Sequence, residues 1–176
     1  MEKILFLSHT EENGQLSNAA LEALGAAATM SEQLSGELVI GLFGGAVDAG
    51  QVSGTVLSVA GDGFATSRYS TDAAAGEALC KAAGATLVVS PGSSRMMRVL
   101  PGIAARVGGS ADSHVSGFKV NDGALTINRW YYRQRMQAEM SRSARPWFIS
   151  IDSGVFEQFA KSGDAAVETV DVAVDD

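Results

Sequence analysis

Thr86-Leu87-Val88-Val89-Ser90-Pro91-Gly92-Ser93-Ser94-Arg95 opens with a short apolar run, breaks at a Pro-Gly pair and resumes with serines able to cap a helix. An apolar run of this length, bounded by turn residues, predicts a strand buried on both faces of a parallel sheet. The helix expected after it extends to about Val107. Toward the N-terminus, residues 72–83 predict a helix capped by Asp72 and stopped by Gly84. Residues 63–69 predict a weaker strand, and the small residues from Gly45 to about Ala60 a helix. Residues 37–43 carry Leu38, Val39, Ile40 and Leu42, a buried strand broken by Gly44 and Gly45. Ser17 can cap a helix whose Ala20, Leu21, Leu24, Ala27 and Ala28 recur at helical spacing, ended by Gly36. Residues 4–8 form the first apolar run. Four strands alternate with four helices, which predicts a parallel sheet with right-handed crossovers.

Toward the C-terminus the rhythm changes after Gly109. Residues 115–120 and 124–140 flank Asn121-Asp122-Gly123, an Asx-Gly turn of the kind that closes hairpins. Residues 147–151 predict a further strand, and the partial alternation over 167–174 either a last strand or a tail docked on a partner. The expected architecture is a three-layer α/β/α sandwich with a mostly parallel sheet and an antiparallel hairpin extension, as one domain over residues 1–176.

Composition narrows the function. With 176 residues, 46% hydrophobic and 19% charged, the chain can bury a sizeable core and fold. A net charge of −7 argues against nucleic-acid binding, which needs a basic surface. Cys80, the sole cysteine, sits in an alanine-rich apolar stretch and reads as a core thiol. His9 and His114 have no cysteine or carboxylate at ligand spacing, so no metal site is expected. No apolar run reaches the ~18 residues of a membrane span and no basic leader precedes one, so the cytoplasm is the expected compartment.

Two constellations could carry chemistry. The turn at 90–95 joins a strand to a helix, where backbone N–H groups and the helix dipole favour an anion. Together with His9 and Phe43, the residues Ser90, Gly92, Ser93, Ser94 and Arg95 would then form a nucleotide edge. The plainer reading, which the absence of a P-loop Lys-Ser/Thr ending and of a GxGxxG favours, is a tight turn with Ser93 or Ser94 as cap. Ser93 or Ser94 with His9 could also pair for hydrolysis, given an orienting acid such as Glu11 or Glu12; solvated loop groups are the default. No catalytic residue is assigned. The second constellation is Arg129-Trp130-Tyr131-Tyr132-Arg133-Gln134-Arg135. Strand alternation sends Trp130, Tyr132 and Met136 one way and Arg129, Tyr131, Arg133 and Arg135 the other. In an acidic chain the arginine face reads as a protein interface or plain surface.

Taken together, the order of segments resembles the N-terminal domain of electron-transfer flavoprotein alpha subunits. Asn13-Gly14-Gln15-Leu16 followed by Ala20-Leu21-Glu22-Ala23-Leu24 is similar to that family's Gly-x-Leu loop and first helix. Ser90 to Ser94 and then Leu100-Pro101-Gly102-Ile103-Ala104-Ala105-Arg106-Val107 resemble its strand–turn–helix with a Leu-Pro-x-x-Ala-Ala run. Ala111-Asp112-Ser113-His114-Val115 sits where the family enters its next strand, and Arg129 to Tyr132 resembles its Arg-x-x-Tyr segment. Arg98 departs from the family's Gly-containing helix start. The resemblance implies a fold related to adenine-nucleotide hydrolase-like domains, a beta-subunit partner that carries AMP, and FAD held chiefly by a separate C-terminal domain. No cofactor is therefore expected in this chain itself, and no redox activity from it alone. The implied role is a cytoplasmic scaffold that docks a beta subunit through Arg129, Tyr131, Arg133 and Arg135, with self-association when isolated. The rival is an adenine-nucleotide-binding domain using the edge around His9.

Overall fold

The computed structural model describes residues 1–173. Its strands are β1 (Lys3–His9), β2 (Glu37–Gly44), β3 (Gly54–Ala60), β4 (Leu87–Pro91), β5 (Ser110–Asn121), β6 (Ala124–Tyr131), β7 (Met136–Met140), β8 (Trp147–Ile151) and β9 (Ala165–Thr169). The helices are α1 (Asn18–Leu34), the single-turn α2 (Asp62–Ala65), α3 (Tyr69–Ala83) and α4 (Ser94–Arg106). The strands form a nine-stranded sheet in the order β7-β6-β5-β8-β4-β1-β2-β3-β9. β5–β6 and β6–β7 are antiparallel; the other neighbours are parallel.

Strand alternation divides the core into two layers. Ile4 and Phe6 of β1, Leu87 and Val89 of β4, and Trp147 and Ile149 of β8 face α1. Leu5, Leu7, Val88 and Phe148 face the opposite way, against α3 and α4. Burial of each large apolar side chain contributes about 1.5–3 kcal/mol, so the central strands β1, β4 and β8 carry the sandwich. The expected α/β/α architecture with a hairpin extension is what forms. Asn121-Asp122-Gly123 closes the β5–β6 hairpin with positive φ at Asp122 (51°) and Gly123 (77°), the backbone that a type I′ turn requires. Cys80 is buried in α3, and burial, with a smaller contribution from the Glu77 charge, pushes its thiol up to about 12.

Five local readings are corrected. The stretch expected to be helical up to Ala60 contains β3, whose Val56, Leu57 and Val59 are buried; the run of glycine and alanine before it concealed the alternation. The strand expected at 63–69 is instead α2 and the entry to α3. Asp72 does not cap α3, which starts three residues earlier; it is buried in the first turn. The long strand expected at 124–140 is two strands joined by a turn over 132–135, in which Tyr132, Arg133 and Gln134 all have positive φ (49°, 55° and 63°). The last strand, expected over 167–174, is Ala165–Thr169, paired with β3; Val174, Asp175 and Asp176 lie outside the described residues.

Candidate functional site

Because β1, β2 and β4 run parallel, their carboxyl ends line one edge of the sheet, where ligands bind in open α/β folds. His9 ends β1 and lies in register with Phe43 of β2, its ring edge-on to the Phe43 ring at 6.5 Å between centroids. His9 Nδ1–H donates to the Thr10 carbonyl at 3.2 Å. In the neutral ring this leaves Nε2 as acceptor for the Ser93 hydroxyl at 3.4 Å. The fold thus brings together His9 and Ser93, and Ser93 also caps α4 by accepting from the Met96 N–H.

Several other polar groups of this edge are engaged within the protein. Gly92 N–H donates to the Ile151 carbonyl at 2.8 Å; a Cβ at Gly92 would approach that oxygen to 2.9 Å, so the turn needs glycine. Ser90 is buried and its hydroxyl donates to the Pro91 carbonyl at 3.4 Å. Arg95 donates through Nε and Nη2 to both oxygens of Asp72 (2.8 and 2.6 Å). It also donates to the carbonyls of Phe64 and Ala65 and lies 5.4 Å from the Phe43 ring centroid. Four of the five guanidinium N–H groups are committed. The backbone N–H groups of Ser93, Ser94 and Arg95, in contrast, have no acceptor within the described residues, as is usual at the start of a helix. Ser94 is the first residue of α4.

The second candidate region is the β5–β6–β7 extension, and here the strand reading is corrected. Arg129 does not stand on a solvent face with Arg133 and Arg135. Its side chain is 16% exposed, donates through Nη1 to Asp112 at 2.7 Å and lies 4.3 Å from the Tyr131 ring centroid. Tyr131 is half-buried, its hydroxyl 3.8 Å from Met140 Sδ. Arg133 and Arg135 leave the strand pattern altogether, because both lie in the 132–135 turn, and they are exposed. A cleft of about 550 Å3 opens between this turn and His114, which sits with φ 58° at a bulge in β5. His114 Nδ1 lies 3.2 Å from Asp152 Oδ1.

Sequence reasoning did not find the group that holds this extension in place. Asp112, 1% exposed, accepts from Arg129 Nη1, from Arg142 Nε (2.5 Å) and Nη2 (3.0 Å), and from Trp147 Nε1 (2.8 Å). Burial opposes its ionisation, yet the hydrogen bonds from Arg142 and Trp147 and the charges of Arg142 and Arg129 outweigh it. The carboxyl is held below its ordinary value. Its partners lie 17, 30 and 35 residues away, so no local spacing signals the cluster; one acid in a half-buried strand followed by scattered arginines was the available hint. Among the described residues no three His, Cys, Asp or Glu side chains converge as a metal site, and no helix is long and apolar enough to cross a membrane.

The family model of the electron transfer flavoprotein domain matches residues 4–176. The chain belongs to the electron transfer flavoprotein domain family. No curated protein matched the chain. Membership gives the chain a role related to electron-transferring flavoproteins.

Within this electron transfer flavoprotein domain, Ser93 has an identifiable structural role as the cap of α4. Ser93→Ala is expected to lower stability by about 1 kcal/mol, read as a shift in the urea midpoint at unchanged slope. Ser93→Asp, which also caps, should restore most of the loss. No recovery with Asp would assign Ser93 to something other than capping.

Proposed function

We propose that this chain is the N-terminal scaffold of an electron-transfer flavoprotein alpha subunit. It docks a beta subunit and a separate flavin domain through the β5–β6–β7 extension. The observation that carries this reading is the 132–135 turn. Arg133 and Arg135 are exposed at its tip and, among the described residues, neither forms an ion pair within the chain. The Asp112 cluster anchors the base of the same hairpin. An anchored hairpin bearing unpaired guanidinium groups at its turn suits recognition of carboxylates, which arginine binds bidentately. The committed donors of Gly92, Ser90 and Arg95 support placing the flavin in the separate domain, which supplies the redox chemistry when its flavin is bound. Arg95, held by Asp72, is likewise not free to serve a phosphate in the adenine-nucleotide reading of the carboxyl edge. The cytoplasm is the proposed compartment.

Charge reversal tests the docking surface. With Arg133→Glu and Arg135→Glu combined, association with the cognate beta subunit is expected to slow about tenfold at low salt. The difference should shrink at high salt as the charges are screened. The thermal midpoint of the isolated chain should hardly move, because exposed substitutions usually change stability by within about 0.5 kcal/mol. Equal affinity for both proteins at both salt concentrations would remove the turn from the interface.

A further inference from the structure

The cleft between the 132–135 turn and His114 encloses about 550 Å3, the size of a small-molecule site. Among the described residues no aspartate or glutamate lines it, although the chain carries a net charge of −7. Asp112 is bonded to Arg129 of the wall, but it is shared with Arg142, which leaves that cluster one positive charge in excess. Arg133, which lines the cleft and forms no ion pair among the described residues, adds a second. Asp152 is taken up by the His114 ring, 3.2 Å away. The cleft is therefore electropositive in an acidic protein, and its field favours an anion.

Both walls hold backbone that most side chains avoid. His114 sits at φ 58° in the β5 bulge, and Tyr132, Arg133 and Gln134 follow one another at 49°, 55° and 63°. Left-handed residues are uncommon outside glycine and gather at ligand sites, while a bulge re-aims the side chain it carries. Two planar groups result: the His114 imidazole, held by Asp152, and the Tyr132 ring, in a residue that is 73% exposed. Arg129 is fixed by Asp112 at 2.7 Å and by the Tyr131 ring, whose centroid lies 4.3 Å from its guanidinium carbon. With Asp112 and Ser113 as the acceptors of Nη1 and Nη2, each of these nitrogens retains one N–H.

We propose that this cleft binds a small planar aromatic anion, with its ring on Tyr132 and its carboxylate or phosphate on Arg129 and Arg133. The aromatic face supplies stacking, and the arginine fork suits either anion. Titration of the chain with naphthoate and with naphthyl phosphate, followed by amide chemical shifts, should move residues 130–134. At least one of the two should bind with a Kd of about 1 mM or tighter, and the tighter identifies the anion. Neutral naphthylmethanol should bind at least about tenfold more weakly. Tyr132→Asn removes the ring and keeps a residue that accepts positive φ; Arg133→Gln removes one charge. Each should weaken the preferred anion at least about fivefold, with the thermal midpoint of the chain hardly moved. The proposal is overturned if neither anion shifts residues 130–134 by about 5 mM, or if the neutral compound binds as well as the anions. Affinity that both variants leave intact overturns it too, and would put the anion elsewhere, such as the amino end of α4. No partner protein enters the titration, so each of these outcomes leaves the docking surface to its own test.

Discussion

Asp112→Ala is expected to lower the unfolding free energy by about 3–5 kcal/mol, the usual consequence of removing one member of a buried ionic cluster. The carboxylate joins β5 to Arg129 on β6, to Arg142 beyond β7 and to Trp147 at the start of β8. Its removal leaves the N–H groups of Arg129 and of the buried Trp147 without their acceptor. The predicted readout is a large drop in the urea midpoint. Asp112→Asn keeps the shape but not the charge and should fall between the two proteins. A loss below about 1 kcal/mol for the alanine variant would place those arginines in water with other partners.

The same cluster gives a signed dependence on pH. Asp112 titrates below its ordinary value of 3.8 in the folded protein, so near and below that value the unfolded chain binds the proton more readily. The stability Asp112 contributes is complete above about pH 5. It declines as the pH falls through 3.8 toward the depressed folded value. Asp112→Asn should therefore flatten the acid side of the stability profile. Glu2, whose ionisation burial opposes but Arg145 and Thr86 favour, is also held low and keeps its own acid dependence in either protein.

The second large effect is expected at Arg95. Asp72 is fully buried and Arg95 is its bidentate partner, so Arg95→Ala strands a carboxylate in the interior and should cost about 3–5 kcal/mol. Combined replacement of both residues by apolar ones, Asp72→Leu with Arg95→Met, should recover much of that loss, as well-packed substitutes for buried ion pairs do. If Arg95 instead served a nucleotide phosphate, its loss would leave folding nearly unchanged and abolish any rise in melting temperature on adding AMP. That pattern would overturn the structural role.

The alternation of elements was legible because buried parallel strands announce themselves as short apolar runs: residues 4–8, 37–43, 86–90 and 147–151 each coincide closely with a strand. The hairpin was legible from Asp122-Gly123, where backbone conformation selects residue type. β3 was not, because Gly54-Thr55-Val56-Leu57-Ser58-Val59-Ala60 follows a glycine- and alanine-rich stretch with no period of its own. The 132–135 turn was hidden for the opposite reason: Tyr132, Arg133 and Gln134 hold a left-handed backbone usually left to glycine or asparagine. Nothing in those side chains interrupts an apparent strand. The proximity of His9 to Ser93 followed from adjacent strands, whereas the engagement of Arg95 with Asp72 depends on how α3 and α4 pack. Long-range polar pairing leaves no mark at any fixed spacing.

The place of β8 between β4 and β5 bears on how the chain is made. During synthesis, β1 to β4 emerge with their helices and can assemble as a partial sheet. The three strands that follow have no edge prepared for them, since β5 meets β4 only through β8. Until residues 147–151 leave the ribosome, the hairpin and its arginines form a detached lobe, and Asp112 lacks its indole donor. The strand Trp147–Ile151 therefore closes the gap, and a nascent chain halted before Trp147 would present an open edge of β4 to its surroundings.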